Sequence, residues 1–479
     1  MISSLLKRSP LQKKIGAMTI GRSTGSLFAL FVAMMLTRLL PEDLYGAYRK
    51  LWLIYGVSSP VFVSTLVSTL YYRGGVSDDK SIPIWVNFFI GIGYALLVGV
   101  LAYGGAGLWS RLFNAPDLVD SFRNFAGFIM LNTFAGIAEP MFVLIDRKKW
   151  YLSYSLFYNI IQSFFIIIPF YLGLSLEDVA LWIMVGPALR LLFLLYVMFR
   201  HVGTPPSWPK IMQEFPSSLK YGTGIILTAF IGMSISDVDK WVVGNFFESN
   251  VIYAIYAVGA RKIPFVSVLS ASISSSLVVH YGKQLQDYRF EPLLKAIKKN
   301  TNYLSLLLFP LIVFLFVYAD DIMVLIFQKY RESAPVFRIY LISVVSNIFF
   351  PQTVLKGLGL SHVEARFVAV ELIINIVLSI ILVQTLGMLG PAIATLIGML
   401  IYTFSLMFYC KSKFGIRIIR FLPTRKLWWM IFSLSLTGII FYGLKTNLSG
   451  LLAMGISLLV LGITMLGHLK MYRSMMVSK

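Results

Sequence analysis

Apolar stretches without a single Asp, Glu, Lys or Arg recur along the chain, at 81–110, 150–176, 301–319 and 372–410. A helix needs about 20 apolar residues to cross a hydrocarbon core about 30 Å thick, because each residue rises about 1.5 Å. The last stretch is long enough for two such helices around a turn at 387–391. The pattern therefore predicts an all-α polytopic membrane protein.

Charges and turn residues divide the remaining chain into further apolar segments. They predict about 14 transmembrane helices, at 16–38, 46–70, 83–105, 123–145, 151–174, 179–199, 221–246, 251–279, 301–319, 336–357, 366–386, 391–410, 427–444 and 449–469. Spans 1–6 and 7–12 are predicted to form two six-helix lobes, in residues 1–200 and 201–415. Spans 13 and 14, in residues 416–479, are predicted to be an addition to these lobes.

A weak internal repeat relates the two predicted lobes. The segment PEDLYGAYRKLW follows the first span, and ESNVIYAIYAVG follows the seventh. In this alignment Tyr45 and Tyr48 correspond to Tyr253 and Tyr256. Six spans separate the copies, an even number, so the lobes are predicted to have parallel topology, with a substrate site at the interface between the repeats.

Composition and charge agree with a membrane location. Of the 479 residues, 58% are hydrophobic and 13% are charged, whereas soluble domains average about 45–50% and about 25%. With the N-terminus inside, the cytoplasmic segments hold about three times as many Lys and Arg as the outer ones, which predicts that both termini are cytoplasmic. Topology then explains the formal charge of +21, and no nucleic-acid partner is needed to account for it.

Sequence motifs argue against an enzyme. The chain has one cysteine, Cys410, so neither a disulfide framework nor a cysteine metal cluster is expected. It contains no GxxxxGK[ST] motif and is not expected to hydrolyse ATP, and it contains no HExxH motif. We expect no cofactor and no metal site. The basic N-terminal segment is interpreted as the start of the first span and not as a signal peptide.

The predicted cytoplasmic segment DYRFEPLLKAIKKN, residues 287–300, has a helical pattern of its own. Phe290, Leu293, Leu294 and Ile297 recur at helical spacing among lysines. One interpretation is an amphipathic helix that rests on an anionic leaflet. The other is an ordinary basic loop that only sets the topology. Both stay open at this point.

Three segments carry a resemblance to a known family. They read GRSTGSLFALFVAMMLTRLLPEDLYGAY, DKWVVGNFFESNVIYAIYAVGARKIPFVSVLSASISSSLV and KGLGLSHVEARFVAVELIINIVLSIILVQTLGMLGPAIATLIGMLIY. They resemble the polysaccharide-repeat-unit flippases (Wzx-type oligosaccharide transporters), in pattern and spacing more than in rigid motif, over most of residues 16–410. Their superfamily also includes the lipid II flippases and the multidrug/cation antiporters. The resemblance implies movement of a polyprenyl-diphosphate-linked oligosaccharide from the inner to the outer leaflet of a bacterial cytoplasmic (inner) membrane, alongside polysaccharide assembly proteins.

Charged residues inside the predicted spans are the candidate functional residues. A charge that faces lipid at the bilayer centre costs about 2.5–3.5 kcal/mol, so such residues line a watered cavity or pair with one another. Guanidinium groups bind phosphate oxygens bidentately, and the resemblance implies a diphosphate substrate, with cavity arginines on spans 1, 2 and 8. The candidates for a cationic substrate cavity are Arg22, Arg49, Arg190, Lys240, Arg261 and Lys262.

Other interpretations of these charges remain open. Asp237 and Lys240 are three residues apart and would neutralise each other on one helix face. Lys262 either extends its amine to the interface or faces the cavity. Carboxylates within spans load protons or pair with cations. The candidates for H⁺ or Na⁺ coupling, or for charge pairing with the cavity cations, are Glu139, Asp237, Asp239 and Glu371.

Three rival functions are compatible with parts of the pattern. A drug/cation antiporter of the same superfamily would have a cavity dominated by carboxylates, whereas here the deep charges are slightly more basic than acidic. A membrane polysaccharide polymerase or ligase would need a large outer loop with catalytic Arg or His, and the predicted outer loops are short. A scramblase or a scaffold would not need arginines buried in helices.

Overall fold

The computed structural model describes residues 10–261, 263–423, 427–448 and 450–477, and every regular element among them is helical. The chain divides into two compact units, one ending at Ala254 and the other beginning at Ile255. The lobe boundaries predicted from the sequence remain a prediction.

The first unit contains eleven helices and the beginning of a twelfth. They are α1 (Pro10–Leu39), α2 (Glu42–Val76), α3 (Ser81–Gly104), α4 (Ala106–Leu112), α5 (Val119–Phe134), α6 (Ala138–Leu144), α7 (Lys148–Tyr171), α8 (Leu176–Trp182), α9 (Val185–His201), α10 (Trp208–Ser234), α11 (Val238–Phe246) and α12 (Asn250–Gly259).

The second unit begins within α12 and continues through nine further helices. They are α13 (Pro264–Gln286), α14 (Glu291–Val317), α15 (Ala319–Phe327), α16 (Ala334–Ser343), α17 (Gln352–Gly357), α18 (Ser361–Leu386), α19 (Leu389–Phe414), α20 (Leu427–Asn447) and α21 (Gly450–Val477).

Helix lengths and polarity confirm the predicted fold class. Among the described residues, nine helical segments are long and apolar enough to cross a membrane, or up to eleven if each sharply bent pair counts as one span. Large apolar side chains on these helices remain exposed, including Val100 at 69% and Leu459 at 69%. Such side chains are stable only against lipid or another apolar surface. The chain is therefore an all-α, multi-pass membrane protein, and the count of 14 spans stays a prediction.

The core of the first unit lies where α2, α3, α6, α9 and α10 meet. Leu66, Ile84, Met141 and Leu194 are buried there together with the indole of Trp85. Asn87 of α3 is also buried, and its amide donates to the carbonyl of Leu66 at 2.8 Å. This bond satisfies one donor of a buried amide, and an unsatisfied donor would be costly there.

The predicted span at 221–246 is broken. Helices α10 and α11 meet at a bend of 58°. Between them the amides of Ser236 and Asp237 donate to carbonyls only three residues back, those of Met233 and Ser234, each at 3.1 Å. Such bonds tighten the chain into a 3₁₀-type turn. The sequence predicted one continuous helix because it contains neither Gly nor Pro at this point.

The predicted span at 251–279 is also interrupted. Helix α12 ends at Gly259, and α13 begins at Pro264. Proline disfavours helical geometry in the residue before it and lacks the N–H that would continue the helix. Arg261 therefore lies in a short non-helical connection, and its backbone is not part of a continuous span.

The segment at 287–300 does not form a separate surface helix. Its residues from Glu291 onward belong to α14, which continues without a break to Val317. Leu293, Leu294 and Ile297 are buried inside the protein, so the apolar face packs against other helices. The interpretation as a helix resting on the leaflet is wrong, because this face is already covered.

Helix α11 is fastened to the turn that follows α4. The side-chain amide of Asn114 donates to the carbonyl of Asn245 at 2.7 Å, and the amide of Asn245 donates to the carbonyl of Leu112 at 2.6 Å. The rings of Trp109 and Trp241 pack edge to face, with their centroids 5.5 Å apart. Two reciprocal amide bonds and an aromatic contact thus hold α11 within the first unit.

Candidate substrate-binding site

Three of the candidate charges form one group at the break between α10 and α11, with Lys240 and Asp239 buried and Asp237 half-buried. Nζ of Lys240 lies 2.7 Å from Oδ1 of Asp237 and 3.8 Å from Oδ1 of Asp239. It also donates to the carbonyl of Ser236 at 3.1 Å. Lys240 is 7% exposed and Asp239 is fully buried. The ammonium therefore has two carboxylate neighbours, and it caps a carbonyl at the break in the helix.

Arg49 of α2 lies beside this group. Its guanidinium is within electrostatic range of Asp237 and of the phenols of Tyr45 and Tyr253. Its Nε is buried and has no hydrogen-bond partner among the described residues. One arginine and one lysine thus face two aspartates, which leaves the group near charge balance with an unsatisfied guanidinium donor.

Lys50, which was not among the candidates drawn from the sequence, is fully buried. Its Nζ donates to the carbonyl of Phe113 at 2.9 Å and lies 5.8 Å from the centroid of the Tyr253 ring. Tyr45 and Tyr253, which correspond in the repeat, are both buried. The internal repeat could have indicated this burial. Lys50 lies two residues after Tyr48 of the repeated tyrosine motif, and that motif is buried.

Arg190 of α9 is held by neutral groups. It donates from Nε to the hydroxyl of Tyr154 and from Nη1 to Oδ1 of Asn132, the latter at 3.2 Å. Its guanidinium carbon lies 4.4 Å from the centroid of the Tyr158 ring. Asn132 also accepts from the Tyr158 hydroxyl at 3.0 Å and donates to Tyr55 at 2.8 Å. These contacts differ from those of Arg49 and Lys240.

Arg261 belongs to the second unit and lies in the connection between α12 and α13. Its guanidinium carbon lies 5.3 Å from the centroid of the Phe327 ring, within the range of a cation–π contact. The side chain is half-buried. Lys262 lies outside the described residues, and the side chain of Arg22 lies outside the described side chains.

Two further carboxylates were candidates for ion coupling. Glu139 lies in the first turn of α6, directly after a 3₁₀ turn, Ala135–Ile137, that interrupts the predicted fourth span. Glu371 of α18 is 7% exposed, and its Cγ would lie 3.6 Å from a Cβ atom at Gly398 of α19. Glu139 is therefore half-buried at an interrupted helix, and Glu371 is buried where two helices pack closely.

Glu371 belongs to a polar row between α18 and α19. Asn375, one turn further along α18, donates to Oγ1 of Thr395 at 3.3 Å and accepts from the hydroxyl of Ser379 at 3.0 Å. Asn375 and Ser379 are both fully buried. The sequence prediction that Glu371 and Asn375 share one helix face agrees with their common contact with Gly398.

The site thus consists of charged residues at broken helices of a transmembrane protein. Similarity to known proteins identifies its family. The model of a family described as "Polysaccharide biosynthesis protein" matches residues 35–335 of this chain. The chain belongs to this polysaccharide biosynthesis protein family. The resemblance drawn from the sequence is thereby confirmed.

One curated relative has a partial match to this family member. It is the probable low-salt glycan biosynthesis flippase Agl15 of Haloferax volcanii, 22% identical over 237 residues. The match covers 48% of this chain and 48% of the relative. The chain thus aligns with about half the length of that protein.

Solved structures of two transporter groups have the same fold as this family member. The lipid II flippase MurJ, in an inward closed conformation, matches with a TM-score of 0.67 at 16% identity, over 95% of this chain and 99% of MurJ. An inward-facing multidrug resistance MATE family transporter of the MOP superfamily matches with a TM-score of 0.62 at 14% identity, over 82% and 94%. A MOP superfamily transporter from Pyrococcus furiosus, described by the reverse polarity of its binding pocket, matches with a TM-score of 0.60 at 13% identity, over 84% and 94%. At these identities the likeness concerns the fold alone.

Proposed function

We propose that this protein is a flippase that moves a polyprenyl-diphosphate-linked oligosaccharide from the cytoplasmic to the outer leaflet by alternating access. The observation that carries the proposal is the group formed by Arg49, Lys240 and Asp237 at a break in a transmembrane helix. Broken helices with charged groups mark substrate and ion sites in transporters. Membership of a polysaccharide biosynthesis family and the match to a glycan biosynthesis flippase support a glycan substrate.

The charge balance of the group gives the proposal a mechanism. A diphosphate would take the unsatisfied donor of Arg49 and compete with Asp237 for Lys240, since guanidinium and ammonium groups bind phosphate oxygens strongly away from bulk water. With both aspartates ionised, the group has no excess positive charge to offer. Proton uptake by one carboxylate would create that excess, so substrate binding and protonation favour each other.

Coupling to an ion gradient belongs to the same proposal. Glu139 and Glu371 are the further carboxylates that would load H⁺, and Glu371, Asn375 and Thr395 offer oxygen atoms of the kind that suits Na⁺. The polyprenyl tail would stay in lipid, along the apolar groove of about 570 Å³ between α14 and α20. The protein would lie in a bacterial cytoplasmic membrane with both termini in the cytoplasm, near polysaccharide assembly proteins.

Deletion of the protein tests the substrate. In a host that makes the glycan, we expect a polyprenyl-diphosphate-linked oligosaccharide to accumulate on the inner leaflet, where a non-permeant oxidant applied to spheroplasts cannot reach it. Restoring the wild-type chain should make the glycan accessible, and an Arg49→Gln chain at equal abundance should not. If deletion leaves the glycan accessible and instead sensitises cells to cationic drugs, the antiporter interpretation replaces this one.

A further inference from the structure

Arg190 is a permanent cation within a span, and no carboxylate lies within ion-pair distance of it in the part of the chain that the structure describes. Its hydrogen bonds go to a phenol and a carboxamide, those of Tyr154 and Asn132. Neutral partners fix the position of a guanidinium but leave its charge uncompensated. A charge in this setting needs water or an anion.

The guanidinium is oriented with donors to spare. Its Nε and Nη1 are engaged, and none of the hydrogen bonds among the described residues uses Nη2. The guanidinium carbon lies 4.4 Å from the centroid of the Tyr158 ring and 5.5 Å from that of Tyr154. Two rings and one amide therefore hold a planar fork in a fixed direction, which lowers the entropy lost when the fork binds an oxyanion.

A cavity of about 340 Å³ lies at this arginine, within the first unit. Its walls are largely aromatic and aliphatic, and they include Tyr154, Phe157, Tyr158, Gly186, Leu189 and Phe193. The volume is at the low end of the range of about 300–1,000 Å³ typical of small-molecule sites. The cavity therefore has room for one headgroup-sized unit and not for a whole oligosaccharide.

A second unsatisfied polar group lies behind the cavity lining, against Gly186. Gln162 is 8% exposed, and its Oε1 has no hydrogen-bond partner among the described residues. A Cβ atom at Gly186 would lie 2.0 Å from that oxygen, so the glycine is what makes room for it. A buried amide oxygen without a donor is costly, so the packing around Gly186 is locally unfavourable.

We propose that this pocket binds the phosphoryl group of a membrane-anchored amphiphile, with Arg190 as the anion ligand. The aromatic walls offer flat apolar surfaces against which the C–H face of a sugar ring packs. Two membrane components have this chemistry, a polyprenyl-diphosphate-linked sugar and an anionic phospholipid. The first source rests on the proposed function, whereas the site itself does not.

Native mass spectrometry of the full chain in detergent tests the proposal. The probes are a polyprenyl diphosphate carrying one N-acetylhexosamine, phosphatidylglycerol, and zwitterionic phosphatidylcholine as the comparison without net charge. We expect Arg190→Gln to weaken binding of at least one anionic probe by about tenfold or more, because charge-assisted hydrogen bonds are lost. Leu189→Trp, which fills the cavity and leaves the charge, should do the same.

Arg200→Gln is the matched control, since Arg200 is an exposed arginine on the same helix, 6.0 Å from the centroid of the Tyr196 ring. It should leave binding unchanged. If only the diphosphate probe responds, the pocket is a substrate subsite; if only phosphatidylglycerol responds, it is a phospholipid site. Equal binding of both anionic probes to wild type, Arg190→Gln and Leu189→Trp overturns the proposal, as does wild type that binds neither. The deletion assay judges the flippase function separately.

Discussion

A Cβ atom at position 56 would lie 2.9 Å from Oδ2 of Asp237. Helix α2 therefore approaches the break between α10 and α11 so closely that only a glycine fits without a shift. Because Gly56 has no side chain, the carboxylate of Asp237 has room to lie against α2 while it pairs with Lys240.

Gly56→Ala should displace Asp237 from Lys240 and reduce transport. Overpacking of this kind typically costs about 1–3 kcal/mol, so we expect a lower melting temperature together with a loss of glycan export. Gly93→Ala is the control, because a Cβ atom at Gly93 would meet nothing within 4 Å. Equal export and equal stability of the two variants would show that the contact at Gly56 has no consequence.

Removal of Lys240 should harm the fold more than removal of Asp237. Lys240→Met removes the ammonium that both aspartates contact and leaves the group with excess negative charge, and breaking a buried pair in this way costs about 3–5 kcal/mol. Asp237→Asn should cost less, because Asp239 still faces the ammonium. Thermal unfolding in detergent measures both changes.

The matched control for this pair is Arg123→Met. Arg123 and Asp120 are also three residues apart, with N···O at 3.0 Å, but both are exposed. Exposed pairs contribute about 0–1 kcal/mol, so the variant should unfold close to the wild-type temperature. A Lys240→Met protein that is as stable as Arg123→Met would contradict the role assigned to the buried pair.

Arg261→Ala should abolish export while leaving the abundance of the protein unchanged, and Arg261→Lys should restore only part, because an ammonium lacks the planar fork. The chain around Arg261 is already non-helical, so truncation there disturbs no helix. Phe327→Leu removes the ring beneath the guanidinium and keeps the charge, and it separates stacking from charge. Normal export by Arg261→Ala would remove this residue from the transport mechanism.

Acid should weaken the attachment of α20 within the second unit. Lys445 of α20 lies 2.8 Å from Asp321 and 3.5 Å from Asp320, and Arg338 donates to Asp320. Burial alone would raise the pKa of Asp320, but the hydrogen bond and charge of Arg338, together with the charge of Lys445, outweigh it and lower the pKa.

The lowered pKa of Asp320 fixes the sign of the effect. Its contribution to stability is complete above the ordinary carboxyl value of 3.8 and is lost as the pH falls from there through the lower value of the folded protein. Melting temperatures measured from pH 7 down to pH 3 should therefore fall less steeply for Asp320→Asn than for wild type. If the melting temperatures of the two proteins fall equally with pH, other titrating groups cause the loss of stability in acid.

The sequence predicted the spans best where long apolar runs end in clear turn residues. The spans predicted at 83–105, 366–386 and 391–410 correspond to α3, α18 and α19, with ends displaced by a few residues. It failed at the breaks after Ser234 and Gly259, because hydropathy counts apolar residues and does not register a tightened turn or a short connection. Pro264 was the one local signal of a break.

The sequence predicted which charged residues belong to candidate sites, but it did not predict which of them contact one another. A charge in an apolar run is visible in the sequence, so Lys240 and Arg190 were found. Which neighbours they contact depends on helix packing, and this separates Arg190, held by tyrosines, from Lys240, held by aspartates. Lys50 was missed because a lysine near a span end is usually a topology signal.

The amide pair of Asn114 and Asn245 has a mechanical consequence. Because these two hydrogen bonds hold α11 against the turn after α4, α11 has little freedom to tilt without that turn. Any flexing along this broken span is then concentrated in the three residues between Ser234 and Val238. Those residues would act as the hinge between α10 and α11. The charge of Lys240 lies within one helical turn of that hinge.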